Sequence, residues 1–138
     1  MSLRILLAED DDVDAMFLQK SFAECDPAIQ IIRATNGESA LQAINDQTPD
    51  LILLDLVMPG THGFDILREI RGDSTYAAVP VLVCSGSDAR EDVIKSHKLG
   101  ANAYIVKPQS PADYRTLAKS LHSFWFTWAQ SARPDTTR

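Results

Sequence analysis

The sequence predicts an α/β fold, a doubly wound (βα)₅ sandwich in which a five-stranded parallel sheet lies between two layers of helices. The first observation is that five apolar runs, Ile5–Ala8, Ile29–Ile32, Leu51–Leu54, Val79–Cys84 and Ala103–Val106, alternate with longer segments of helix-like spacing. The second is that several of these runs are apolar at consecutive positions. Strands covered by helices on both faces need that, whereas a half-exposed antiparallel strand would alternate.

The breaks between elements agree with this division. Gly37, Gly60, Gly63, Gly72, Gly86 and Gly100 fall between elements or at their ends, and Pro27, Pro49, Pro80 and Pro108 flank strands. Gly100 is placed to close the fourth helix. Ser110 followed by Pro111 is an N-cap and first-turn pair that opens the last helix. That helix carries Tyr114, Leu117, Ala118, Leu121, Phe124 and Trp128 at i, i+3, i+4, i+7 spacing, which reads as a core stripe. Phe126 falls off the stripe and Trp125 widens it, so aromatic surface is expected near the helix end. One domain over residues 1–130 is expected, followed by a flexible tail, 131–138, containing Pro134.

The 138-residue chain has the size of one domain, and a hydrophobic fraction of 45% is that of an ordinary globular protein. Its net charge is −6 and no Lys/Arg run stands out, which argues against nucleic acid as a partner. No apolar stretch approaches the roughly 20 residues that span a bilayer, and no charged start with a small-residue cleavage site opens the chain. No membrane association and a cytoplasmic location are the expectations. Cys25 and Cys84 lack metal-site or redox spacing and read as reduced thiols.

In open α/β sheets, sites form beyond the carboxyl ends of the strands. Four of the five runs end in chemistry: Glu9-Asp10-Asp11-Asp12 after the first, Asp55 after the third, Ser85 after the fourth and Lys107-Pro108 after the fifth. Carboxylates, a hydroxyl and an ammonium converging on one edge are what Mg²⁺ and a phosphoryl group require. Magnesium takes hard oxygen ligands and keeps several waters. A carboxylate can be the nucleophile that accepts a phosphoryl group, and the remaining groups position it and neutralise charge. Lys107 supplies a point charge and Ser85 a hydrogen-bond donor.

These residues resemble the receiver domain of bacterial two-component response regulators. The likeness rests on Glu9-Asp10, on Asp55-Leu-Val-Met-Pro59 with Gly63, on Ser85-Gly86 and on Tyr104-Ile-Val-Lys107-Pro108, and it covers nearly the whole chain. It implies a flavodoxin-like three-layer sandwich that signals from a histidine kinase without being an enzyme in the ordinary sense. By the same likeness Asp55 is the phospho-acceptor and Glu9, Asp10, Asp55 and the backbone carbonyl of Val57 hold Mg²⁺. Ser85 and Lys107 assist the chemistry, and Ser85 and Tyr104 form the switch to an output face of the fourth helix, fifth strand and fifth helix. The Lys107–Pro108 bond would be cis. A narrower likeness, in Lys95 to Tyr104 and Phe124 to Trp128, is to single-domain regulators of cyanobacterial and bacterial phytochrome kinases. It makes a bacteriophytochrome the expected kinase. His62 replaces an acidic residue frequent in the family pattern, with little consequence for chemistry expected.

Taken singly, each feature has a plainer reading. Glu9 to Asp12 would suit the start of any helix, Asp55 any strand-end turn, Ser85-Gly86 a turn, Lys107 a surface charge and Tyr104 a half-buried strand aromatic. Their conjunction at four strand ends favours the receiver. A phosphatase of the haloacid-dehalogenase type needs a second Asp two residues beyond the nucleophile, where this chain has Val57. A dinucleotide-binding domain needs a Gly-rich loop that follows none of the strands. A pure dimerisation module leaves the acid, hydroxyl and Lys set unexplained. Homodimerisation through Trp125 and Phe126 remains compatible with the receiver and is expected.

Overall fold

In a computed structural model that describes residues 3–128, the sheet is five-stranded and wholly parallel, in the order β2-β1-β3-β4-β5. Its strands are β1 (Arg4–Ala8), β2 (Gln30–Ala34), β3 (Leu51–Leu54), β4 (Val81–Ser85) and β5 (Ala103–Val106). The helices between and after them are α1 (Asp12–Cys25), α2 (Gly37–Asp46), α3 (Gly63–Gly72), α4 (Arg90–Lys98) and α5 (Pro111–Leu121). The expected (βα)₅ fold is therefore present. The residues read as a flexible tail, 131–138, lie outside the described ones.

The two faces of the sheet follow from the period of two along each strand. Leu6, Ala8, Ile52, Leu54, Val81 and Val83 pack with Ala40 and Ile44 of α2 and Phe64, Ile66, Leu67 and Ile70 of α3. Their neighbours Ile5, Leu7, Leu51, Leu53 and Leu82 point the other way, onto Ala15, Leu18 and Phe22 of α1 and Tyr114, Ala118 and Leu121 of α5. Leu51 to Leu54 are all at most 1% exposed. That burial on both faces is what the unbroken apolar run required.

Three strands differ from their predicted bounds, β1 only in beginning one residue earlier, at Arg4. β2 extends to Arg33 and Ala34, and Leu7 and Ala8 pair with these residues, so the ladder continues past the apolar run. β4 starts at Val81 because Pro80 has no N–H to give to a ladder, although its carbonyl accepts from Ile52 N at 3.0 Å. No cis peptide bond occurs among the described residues, so Lys107–Pro108 is trans, against the expectation from the family likeness.

The end of the last helix also departs from the 3.6-residue reading. After Leu121 the chain continues as a π-helical turn, His122–Trp128. A π turn carries more residues than an α turn, so the inward face moves along the sequence. Trp125 and Phe126 consequently pack against the core while Phe124, predicted to be part of the core stripe, is 56% exposed. The exposed aromatic surface expected at Trp125 and Phe126 thus centres on Phe124.

Candidate functional site

The chain leaves β1 for α1 on one face of the sheet and leaves the adjacent β3 for α3 on the other, so a crevice opens between the carboxyl ends of β1 and β3. The ladder reaches one residue beyond each strand and sets the site residues side by side. Glu9 N donates to Ala34 O at 2.9 Å, Asp55 N to Ala8 O at 3.0 Å and Lys107 N to Ser85 O at 2.8 Å.

The acidic turn after β1 is built locally. Asp11 is the N-cap of α1, its Oδ1 accepting from Val13 N at 3.0 Å and Asp14 N at 2.9 Å. The N–H of Asp11 in turn donates to Glu9 Oε2 at 3.1 Å, which fixes the Glu9 side chain inside the crevice, 2% exposed. Arg33 holds the turn from the β2 side. Its Nε donates to Glu9 O at 3.0 Å and its Nη2 to Asp10 O at 3.1 Å, and it pairs with Asp12 Oδ1 at 2.8 Å.

Asp55 is 6% exposed at the end of β3, and Val57 N lies 3.4 Å from its Oδ1. The loop beyond is folded back tightly, with Gly63 N donating to Leu56 O at 2.7 Å. A Cβ at Gly63 would sit 2.6 Å from both Asp55 O and Leu56 Cα, so this approach admits only glycine. Oxygen atoms of Glu9, Asp10 and Asp55 lie within 4.8 Å of one another.

Lys107 enters this cluster from β5. Its Nζ is 2.7 Å from Glu9 Oε1, 2.9 Å from Asp14 Oδ2 and 3.1 Å from Asp55 Oδ2. Burial alone would depress the ammonium's pKa, but hydrogen bonds to the three carboxylates raise it above the ordinary lysine value. Glu9 is pushed up to about 7, chiefly by burial and further by the charge of Asp55, with Lys107 acting in the opposite sense. One ammonium thus faces more carboxylate charge than it neutralises. The hard oxygen donors and the surplus negative charge fit a divalent cation such as Mg²⁺.

Ser85 is 2% exposed at the end of β4, its Oγ accepting from Ser87 N at 3.3 Å. Tyr104 does not enter the acidic pocket. Its hydroxyl donates to Ser87 O at 2.8 Å and so reaches the loop that follows Ser85. Ser87 Oγ is also tied to Asp92 Oδ2 of α4 at 2.6 Å. Val57, whose carbonyl was expected to complete a metal site, has a side chain in solvent and is 69% exposed. Cys84 points away from solvent, and burial pushes its thiol up to about 12, so it is inert at neutral pH.

Sequence reasoning therefore named Glu9, Asp10, Asp55, Ser85 and Lys107, all of which stand at neighbouring strand ends. It missed Asp14, Tyr114 and Arg33. Asp14 had a legible signal, because it lies on the same helical stripe as Leu18 and Phe22, where an acid is out of place unless something buried meets it.

The model of the response regulator receiver domain matches residues 5–119. Response regulator Rcp1 of Synechocystis sp. is 30% identical over 128 residues, covering 88% of this chain and 87% of its own length. A structure of the Mn(2+)-bound form of response regulator Rcp1 superposes with a TM-score of 0.86 at 28% identity, over 95% of this chain and 99% of the other. The phosphorylated cyanobacterial phytochrome response regulator RcpA gives a TM-score of 0.90 at 28% identity, over 96% of this chain and 100% of the other. Response regulator RPA3017, in red light signaling of R. palustris, gives 0.87 at 30% identity, over 96% and 99%.

Proposed function

From the premise that the chain belongs to the response regulator receiver domain family, and so is a phosphorylation-dependent component of two-component signalling, we propose that Asp55 is the atom-level acceptor of its phosphoryl group. The observation that carries this is the position of Asp55 at the centre of a charge set, within 4.8 Å of Glu9 and Asp10 oxygens and 3.1 Å from Lys107 Nζ. An Asp55 carboxylate oxygen attacks phosphorus, the bond from phosphorus to the kinase's imidazole nitrogen breaks, and the imidazole leaves with the electron pair and takes up a proton.

Receiver domains bind Mg²⁺ or Mn²⁺ at an acidic pocket, and here Glu9, Asp10, Asp55 and the carbonyl of Val57 would hold Mg²⁺. Bound there, the cation would supply positive charge against the phosphoryl oxygens. Lys107 meets a phosphoryl oxygen with its ammonium, and Ser85 donates its hydroxyl once that oxygen is present. Displacement of Ser85 pulls on the loop at Ser87, to which Tyr104 is hydrogen-bonded, and so reaches α4 and β5.

Receiver domains are phosphorylated by histidine kinases, and a bacteriophytochrome is our reading of this donor. The TM-scores of 0.90 and 0.87 with a phytochrome response regulator and a red-light signalling regulator support it. We further read the chain as a homodimer and residues 1–130 as its receiver unit. Among the described residues, Ile94, Val106 and Phe124 are exposed apolar side chains on α4, β5 and the π turn that suit such an interface.

The test of the acceptor is phosphorylation by acetyl phosphate with Mg²⁺. Wild type should gain one protein-bound phosphoryl group that base and hydroxylamine release, and Asp55→Asn none. Equal labelling of the variant would refute the assignment.

A further inference from the structure

Asp14 stands outside the Glu9, Asp10 and Asp55 oxygens that could hold a cation, yet both of its carboxylate oxygens are engaged in part-buried hydrogen bonds at the site. Its Oδ2 accepts from Lys107 Nζ at 2.9 Å, and its Oδ1 accepts from the Tyr114 hydroxyl at 2.9 Å. Lys107 is 16% exposed in its side chain, Asp14 27%, and Tyr114 only 3% as a residue. The phenol is itself held, stacked on Phe17 of α1 with ring centroids 5.4 Å apart and planes 19° from parallel. Helix α1 and helix α5 thus meet at a carboxylate whose two oxygens are each engaged by a donor from another element.

The other partners of Lys107 have a second duty. Glu9 and Asp55 are the carboxylates that a divalent cation and a phosphoryl group would engage, and each such event takes an acceptor away from the ammonium. Asp14 keeps its geometry throughout, because Tyr114 braces it from the far side. We propose that Asp14 is a positioning residue that holds the Lys107 ammonium at the acidic pocket while Glu9 and Asp55 change partners. The proposal rests on the reading of Lys107 as the cation that meets the phosphoryl group.

Without Asp14, the ammonium depends wholly on Glu9 and Asp55, so it competes with the metal for them and is less well placed for the phosphoryl oxygen. A hydrogen bond between charged groups is strong enough for its loss to slow a reaction about tenfold.

The test is the rate of phosphorylation of the full chain by acetyl phosphate, measured against Mg²⁺ concentration. Asp14→Asn should slow the rate at saturating Mg²⁺ about tenfold and raise the Mg²⁺ concentration for half-maximal rate. Tyr114→Phe, which leaves every charge in place, should slow it about threefold. In a Lys107→Ala background both substitutions should have no further effect, a dependence that a merely structural role would not show. Wild-type rates in both variants, or the same slowing with and without Lys107, would overturn the proposal. Labelling of Asp55→Asn would instead overturn the acceptor assignment beneath it, so the two failures are distinct.

Discussion

Lys107 Nζ lies 2.7 Å from Glu9 Oε1 and 3.1 Å from Asp55 Oδ2, so the lysine of the site is bound more closely by a buried glutamate than by the residue assigned as phospho-acceptor. On the proposed reading, Glu9 would be the group through which metal, lysine and pH interact. A cation that engages Glu9 must displace either the ammonium or a proton.

With its pKa pushed up to about 7 by burial and by Asp55, Glu9 is partly protonated at neutral pH until a cation binds. Mg²⁺ affinity should therefore weaken below about pH 7, approaching roughly tenfold per pH unit, and binding should release a proton. In chelator-treated protein the same raised value means that the folded state holds more protons than the unfolded one. Stability should then fall as pH rises from about 4.5 toward 7, and added Mg²⁺ should offset the loss. Calorimetric titration in buffers of different ionisation enthalpy measures the proton release, and a pH-independent affinity would contradict it.

Gly63→Ala places a methyl group 2.6 Å from Asp55 O and Leu56 Cα, both backbone atoms that cannot rotate away. The loss should be about 1–3 kcal/mol in urea unfolding. Phosphorylation should slow as well, because the displaced strand end carries Asp55. Gly72→Ala, where nothing lies within 4 Å of the added carbon, is the matched control and should be near neutral.

Sequence patterning was sufficient for the sheet and for which polar residues stand at its strand ends, because both depend on local features: consecutive apolar residues mark buried strands, and Glu9, Asp55, Ser85 and Lys107 stand where four of those apolar runs stop. What it could not supply depends on distant parts of the chain. Asp14 meets Lys107 across 93 positions and Tyr114 across 100, and nothing local to α1 specifies either. Arg33 was hidden because a charged residue ends an apolar run, yet here it continues the ladder and bonds to the backbone of Glu9 and Asp10. The aromatic surface was misplaced for a different reason: a 3.6-residue period carried through His122–Trp128 puts Phe124 inward, whereas the π turn turns it out.

The hydrogen bond from Ser87 Oγ to Asp92 Oδ2, 2.6 Å long, ties the loop after β4 to the first turn of α4. Asp92→Ala should cost about 1 kcal/mol of stability. It should also free the Ser87 carbonyl from its fixed partner Tyr104, visible as loss of protection of α4 amides in hydrogen exchange, with the phosphorylation rate little changed. Unaltered protection would show that the loop is held by other contacts.

Phe124 exposes more than half of its surface beside Trp125, with ring centroids 5.1 Å apart, and Ile94 and Val106 add apolar area on α4 and β5. Phe124→Glu should shift a dimer to monomer in light scattering at tens of micromolar, with the acetyl phosphate reaction intact. A wild-type chain that is monomeric with and without phosphorylation would remove the dimer from the account.

The most direct measurement of the central claim is chemical mapping of the acyl phosphate. After reaction with acetyl phosphate and Mg²⁺, borohydride reduces an aspartyl phosphate to homoserine, and peptide mass spectrometry reads the position. Homoserine is expected at residue 55 and at no other acidic position; homoserine at Asp10 or Asp14 with residue 55 unmodified would refute Asp55 as the acceptor.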